Sequence, residues 1–109
     1  MTVQDIHQMA KGIQLEALQK SAEPGIDKAL GEIKAERAFQ IDKWGLQNHD
    51  PAVWMTILME EVGELAERIL CLRCGIGSTE LVKDDIRHEA CQVAAVAAAI
   101  MQAMEEDKV

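Results

Sequence analysis

Apolar residues recur at three- and four-residue intervals along most of the chain, the periodicity of amphipathic helices. Val3, Ile6, Ala10, Ile13 and Ala17 share one face, Thr2 is placed to cap them with Asp5 nearby, and Pro24-Gly25 breaks the pattern, so a first helix is predicted over residues 2–20. A second, over residues 27–44, carries Ile26, Leu30, Ile33, Ile41 and Trp44 on one stripe and ends at Gly45. Asp50 reads as an N-cap, with Pro51 in the first turn of a third helix over residues 51–73. After the turn marked by Gly75 and Gly77, a long fourth helix follows from Ser78 or Thr79 to Glu106. So short a turn makes the last two helices an antiparallel hairpin. The expected architecture is all-α, a bundle of about four helices around that hairpin and completed by dimerisation. It comprises an N-terminal amphipathic helix, 1–22, and a helical domain, 23–109, in one compact unit.

Composition agrees, with 49% hydrophobic and only 3% aromatic residues among many Ala, Leu, Glu and Lys. A net charge of −8 without clustered Lys or Arg argues against a nucleic-acid surface. No apolar run approaches the roughly 18 residues of a membrane span, and three cysteines cannot all pair within the chain, so a reduced cytoplasmic setting is expected.

Charge sits where it does not belong. Around the third helix the apolar stripe is Trp54, Leu58, Val62, Leu65, Ile69 and Leu72; Glu61 falls inside it, Glu64 at its margin and Glu60 further round. In the fourth helix the stripe is Val82, Ile86, Val93, Val96, Ile100 and Met104, and Glu89 lies near its middle. Folding the hairpin about Ile76 and Gly77 levels Glu64 with Glu89 and Glu61 with Gln92. Three carboxylates and an amide oxygen then converge, and such like charges need a cation or basic side chains beside them. An all-oxygen set suits Mg²⁺, with Mn²⁺ an alternative. The competing reading is a solvated acidic face, or glutamates paired with Arg37 and Arg68. In the second helix Arg37 and Gln40 interrupt the apolar stripe, offering polar donors to the same pocket. Trp44 and Trp54 are each placed either to stack on a base or to serve as core.

The run Glu36-Arg37-Ala38-Phe39-Gln40-Ile41-Asp42-Lys43-Trp44-Gly45, Trp54 ahead of Glu60-Glu61-Val62-Gly63-Glu64, and Glu89-Ala90-Cys91-Gln92-Val93 together resemble the MazG-like branch of the all-α nucleoside triphosphate pyrophosphatases. The likeness covers residues 31–105. It implies Mg²⁺-dependent hydrolysis of a deoxy or non-standard nucleoside triphosphate to the monophosphate and pyrophosphate. It also implies metal ligands at Glu61, Glu64 and Glu89, with Glu60 either a further ligand or the group orienting the attacking water. Gln40, Lys43 and Trp44 would lie against the nucleotide, Lys43 as a phosphate contact, in a homodimer or homotetramer. Where the family's ExxD motif has aspartate this chain has Gln92, an oxygen donor without charge.

Two rivals remain. Cys71, Cys74, His88 and Cys91 imitate a zinc motif, but hairpin levelling leaves His88 roughly 9 Å along the axis from Cys71. A catalytically weak or inactive helical module for nucleotide binding or protein interaction would use the same amphipathic faces without metal dependence.

Overall fold

Asp50 and Pro51 begin the helix on which the site is built. In a computed structural model, which describes residues 2–6 and 25–107, the Asp50 carboxylate accepts a hydrogen bond from the Ala52 amide at 3.0 Å. Pro51 occupies the first turn, where its missing N–H leaves no bond unmade. The described elements are α1 (Ile26–Trp44), α2 (Pro51–Arg73) and α3 (Thr79–Asp107), with a helical turn at residues 3–6. No strand occurs among the described residues, and the chain is an all-α bundle.

Local chemistry accounts for the ends. Thr2 and Asp5 form a reciprocal cap: the Asp5 amide donates to Thr2 Oγ1 at 3.1 Å and the Thr2 amide donates to the Asp5 carboxylate at 2.9 Å. The Thr2 backbone amide first, and then the Thr2 hydroxyl, hold the Asp5 carboxyl below its ordinary range. The rest of the expected first helix, with Ala10, Ile13 and Ala17, lies outside the described residues. Helix α2 closes where the Ile76 amide reaches the Cys71 carbonyl at 2.9 Å and the Gly75 amide reaches that of Leu72 at 3.3 Å. This closure needs a left-handed residue, supplied by Gly75 at φ 68°. The chain then turns straight into α3.

The chain divides into two compact units, residues 1–30 and 31–109, and the candidate site lies wholly in the second. There α2 and α3 pack along their length. The buried apolar residues among those described are Trp54 on α2 and Val82, Ala95, Val96, Ala99 and Ala103 on α3. Trp54 packs against Ala99 and Ala103, whose small side chains admit the indole, with Ile57 and Ile100 alongside. Arg87 of α3 bonds to Glu32 of α1 at 2.6 Å, tying those helices together.

The expected stripe of α2 needs correction. Trp54 is buried and Leu58 and Leu65 are half-buried, but Val62, Ile69 and Leu72 are exposed. The inward face is turned toward Ile57, Glu61 and Arg68 instead. An apolar arc wider than one neighbour can cover leaves its far side bare, and periodicity alone cannot say which side that is. On α3 Met104 is likewise 52% exposed, and the alanines take its place in the core. On α1 the ends of the expected stripe, Ile26, Leu30 and Trp44, are exposed while Ile33 and Ile41 are half-buried. No described helix is long and apolar enough to cross a membrane.

Candidate metal centre and adjoining cavity

Helix α2 presents Glu61 and Glu64 one turn apart, and α3 brings Glu89 to the same height. Each offers a carboxylate oxygen, and the three oxygens lie within 4.8 Å of one another. Glu61 and Glu89 are half-buried and Glu64 is exposed. The neighbouring Glu60 is exposed, outside the cluster but close enough for its charge to be felt at Glu61.

The electrostatics are those of a site short of positive charge. Burial, and then the charges of Glu64, Glu89 and Glu60, push the Glu61 carboxyl above its ordinary value, with His88 opposing. Burial comes first for Glu89 too, followed by the charge and closeness of the Glu64 carboxyl, while His88 and Arg68 pull the other way. Glu89 Oε2 is closed to solvent and has no donor. Among the described residues no basic side chain forms an ion pair with the three. Arg68 is taken by Glu67 at 3.0 Å and Asp85 at 3.9 Å, and Arg37 by two amide oxygens. The reading in which these arginines neutralise the glutamates is therefore set aside by the geometry.

A pH dependence follows. Both carboxyls ionise later in the folded chain than in the unfolded one, so the folded chain holds more protons at pH values above the ordinary 4.5. Their contribution to stability is complete below 4.5 and is lost as the pH rises through the raised values. Chemical denaturation with a chelator present, from about pH 4 to pH 8, should show wild type losing ground to Glu61→Gln/Glu89→Gln as pH increases. Excess Mg²⁺ should remove that trend from wild type. A pH-independent difference between the two proteins would contradict it.

Beside the cluster lies a cavity of about 210 Å³, walled by Arg37, Gln40 and Trp44 of α1, Trp54 and Glu61 of α2 and Gln92 of α3. A row of polar side chains is already ordered along it: Gln40 donates to Glu36 at 3.1 Å, and Arg37 donates to Gln40 Oε1 at 2.7 Å and to Gln102 Oε1 at 2.8 Å. The Trp54 ring meets His49 edge to face at 4.7 Å, and its buried Nε1–H has no acceptor. A buried donor of this kind costs free energy until something accepts from it.

Of the residues singled out from the sequence, Glu61, Glu64 and Glu89 come together, and Glu61, Gln92, Arg37, Gln40, Trp44 and Trp54 share the cavity. Lys43 does not line it; its ammonium lies over the Trp44 ring at 4.7 Å and the Phe39 ring at 5.9 Å. The zinc alternative does not assemble, since the glutamates are the one group among the described residues whose side chains converge closely enough to hold a metal ion. Three further contributors were not assigned to this site from the sequence, His88 having been weighed only as a zinc ligand. His88 carried a signal, being adjacent to Glu89, whereas His49 and Gln102 owe their places to tertiary packing. Comparisons with protein-family models, curated proteins and solved structures found no match.

Proposed function

We propose that this chain is a Mg²⁺-dependent nucleoside triphosphate pyrophosphohydrolase, acting on a deoxy or non-standard nucleotide in a cytoplasmic setting as a homodimer or homotetramer. The observation that carries the reading is the group of three carboxylates within 4.8 Å, one with an oxygen closed to solvent and unpartnered, at the edge of a cavity faced by two tryptophans. Carboxylates suit a hard divalent cation, and Glu61, Glu64 and Glu89 are the residues that would hold it, with Gln92 adding a neutral oxygen. Mg²⁺ or Mn²⁺ bound there supplies positive charge to offset both the carboxylates and the phosphates of the substrate.

The remaining work falls to side chains. Glu60 orients the water whose oxygen attacks the α-phosphorus; the bond from that phosphorus to the α–β bridging oxygen breaks, and pyrophosphate leaves with the electron pair. The water's proton passes to Glu60 and on to solvent. Arg37 and Gln40 place the nucleotide, Trp44 and Trp54 offer ring faces to the base, and the Trp54 Nε1–H finds an acceptor on the ligand. Lys43, exposed beyond the cavity, meets the phosphates by swinging off Trp44.

A screen for pyrophosphate release across standard and modified nucleoside triphosphates, with Mg²⁺ and with Mn²⁺, tests this reading. Release from at least one substrate, abolished by chelation, is expected. Silence across the panel would favour the second reading, a nucleotide-binding or interaction module with weak or no turnover, which the uncharged Gln92 supports. The same residue gives a graded test: Gln92→Asp should tighten Mg²⁺ binding by about tenfold in calorimetry, the effect of one added anionic ligand. Unchanged or weaker binding would place Gln92 outside the coordination shell.

A further inference from the structure

The cavity has two ends, set apart along the hairpin. Trp54 packs against Ala99 and Ala103, whereas Glu61 and Glu64 stand seven and ten residues further along α2, a separation of roughly 10–15 Å along the axis. Arg37 belongs to the Trp54 end, because its Nε donates to Gln102, the neighbour of Ala103 on α3. Phosphates held by a cation at the carboxylates are out of its reach. The base of the same nucleotide is not.

Arg37 is half-buried on the cavity wall, in a chain of net charge −8, yet no carboxylate among the described residues forms an ion pair with it. Two neutral oxygens hold it instead, Gln102 Oε1 at Nε, 2.8 Å, and Gln40 Oε1 at Nη1, 2.7 Å. These bonds fix the guanidinium plane without cancelling its charge, and they leave both N–H groups of Nη2 without an acceptor among the described residues. Glu36, beyond Gln40 in the same row, takes the Gln40 amide at 3.1 Å. The Trp54 Nε1–H at this end has no acceptor either. A guanidinium donates and never accepts, so it selects a ligand edge made of acceptors. Among the standard bases only guanine sets two acceptors side by side, O6 and N7; adenine has an amino group next to N7, and each pyrimidine offers one acceptor or none on the matching edge.

We propose that the Trp54 end of the cavity reads the base and selects a 6-oxopurine, guanine or hypoxanthine, through Arg37 Nη2 on O6 and N7. Gln102 is the positioning residue: it touches no substrate and aims the guanidinium that does. The inference rests on the preceding reading only in placing the phosphates at the carboxylates. It ties base selection to the packing of α1 on α3, since Arg37 and Gln102 meet from those two helices.

Fluorescence titration of the full chain tests it, because the chain's two tryptophans both wall the cavity. With Ca²⁺ in place of Mg²⁺ to suppress turnover, dGTP and dITP are expected to bind about thirtyfold more tightly than dATP, dCTP and dTTP, the discrimination of one good two-acceptor contact. 7-Deaza-dGTP, which keeps O6 and lacks the N7 acceptor, should bind about fivefold more weakly than dGTP. Arg37→Met should bring dGTP to within about threefold of dATP, and Gln102→Leu should cut the ratio to about tenfold. A merely structural role would weaken every nucleotide alike and leave the ratio where it was. The proposal is overturned by equal affinity for dGTP and dATP, by dITP binding no better than dATP, by equal affinity for dGTP and 7-deaza-dGTP, or by a ratio that either substitution leaves unchanged. Loss of inorganic triphosphate binding in Arg37→Met would also overturn it, placing the guanidinium on phosphates. Selective binding of dGTP without pyrophosphate release keeps this inference and removes the hydrolase reading; release from all bases alike does the reverse. The 7-deaza comparison uses wild type, so a variant that fails to fold leaves the test intact.

Discussion

Glu89→Gln is expected to reduce Mg²⁺-dependent hydrolysis by at least about a hundredfold while making the metal-free protein more stable. The two effects share one cause. Glu89 holds an unpartnered, solvent-closed oxygen beside Glu61 and Glu64, an arrangement that is unfavourable in the empty protein and favourable only once a cation compensates it. Glutamine keeps the shape, removes the charge and adds an N–H₂ that donates to Glu64. Chemical denaturation in chelator should therefore show a gain of about 1 kcal/mol, the order of one relieved buried polar group. Opposite signs for activity and stability separate a site held under electrostatic tension from a structural residue. A loss of both together would make Glu89 part of the scaffold.

The largest effect on folding is expected at Trp54. Trp54→Ala should cost about 3–5 kcal/mol, since it removes the one bulky buried side chain of the described core and leaves Ala99 and Ala103 facing a void they are too small to fill. Against a total of about 5–15 kcal/mol for a domain, that is enough to leave much of the chain unfolded at 37 °C. Trp54→Phe separates packing from hydrogen bonding. It keeps most of the buried ring and deletes an N–H that has no acceptor, so its cost in denaturation should stay within about 1.5 kcal/mol. If the indole donates to bound nucleotide, the same variant raises KM. A Phe variant as unstable as the Ala variant would mean that the indole's size or its N–H is satisfied within the fold.

Much of this was legible in the sequence where the deciding physics is local. Asp50-Pro51 and Gly75 set the limits of α2 through capping bonds made within a few residues, and a turn too short for anything but reversal brings Glu61, Glu64 and Glu89 to one level. The faces were harder. Val62 and Ile69 have the spacing of core residues, yet which flank of a wide apolar arc meets α3 depends on the neighbour, and it is the other flank. The Arg37 bond to Gln102 joins positions 65 apart, and no periodicity announces it. Lys43 shows the same limit, being one residue from Trp44 and drawn over its ring instead of into the cavity.

The central claim is that Glu61, Glu64 and Glu89 form a divalent-cation site. Calorimetric titration of Mg²⁺ into the metal-free protein, repeated at several pH values from about 4 to 8, addresses it without assuming a substrate. The account predicts saturable binding that tightens as the pH rises from about 4, because burial and mutual repulsion hold the Glu61 and Glu89 carboxyls above their ordinary value, and it predicts that Glu89→Gln abolishes the binding. An isotherm in wild type that does not saturate, or one that Glu89→Gln leaves unchanged, would contradict it.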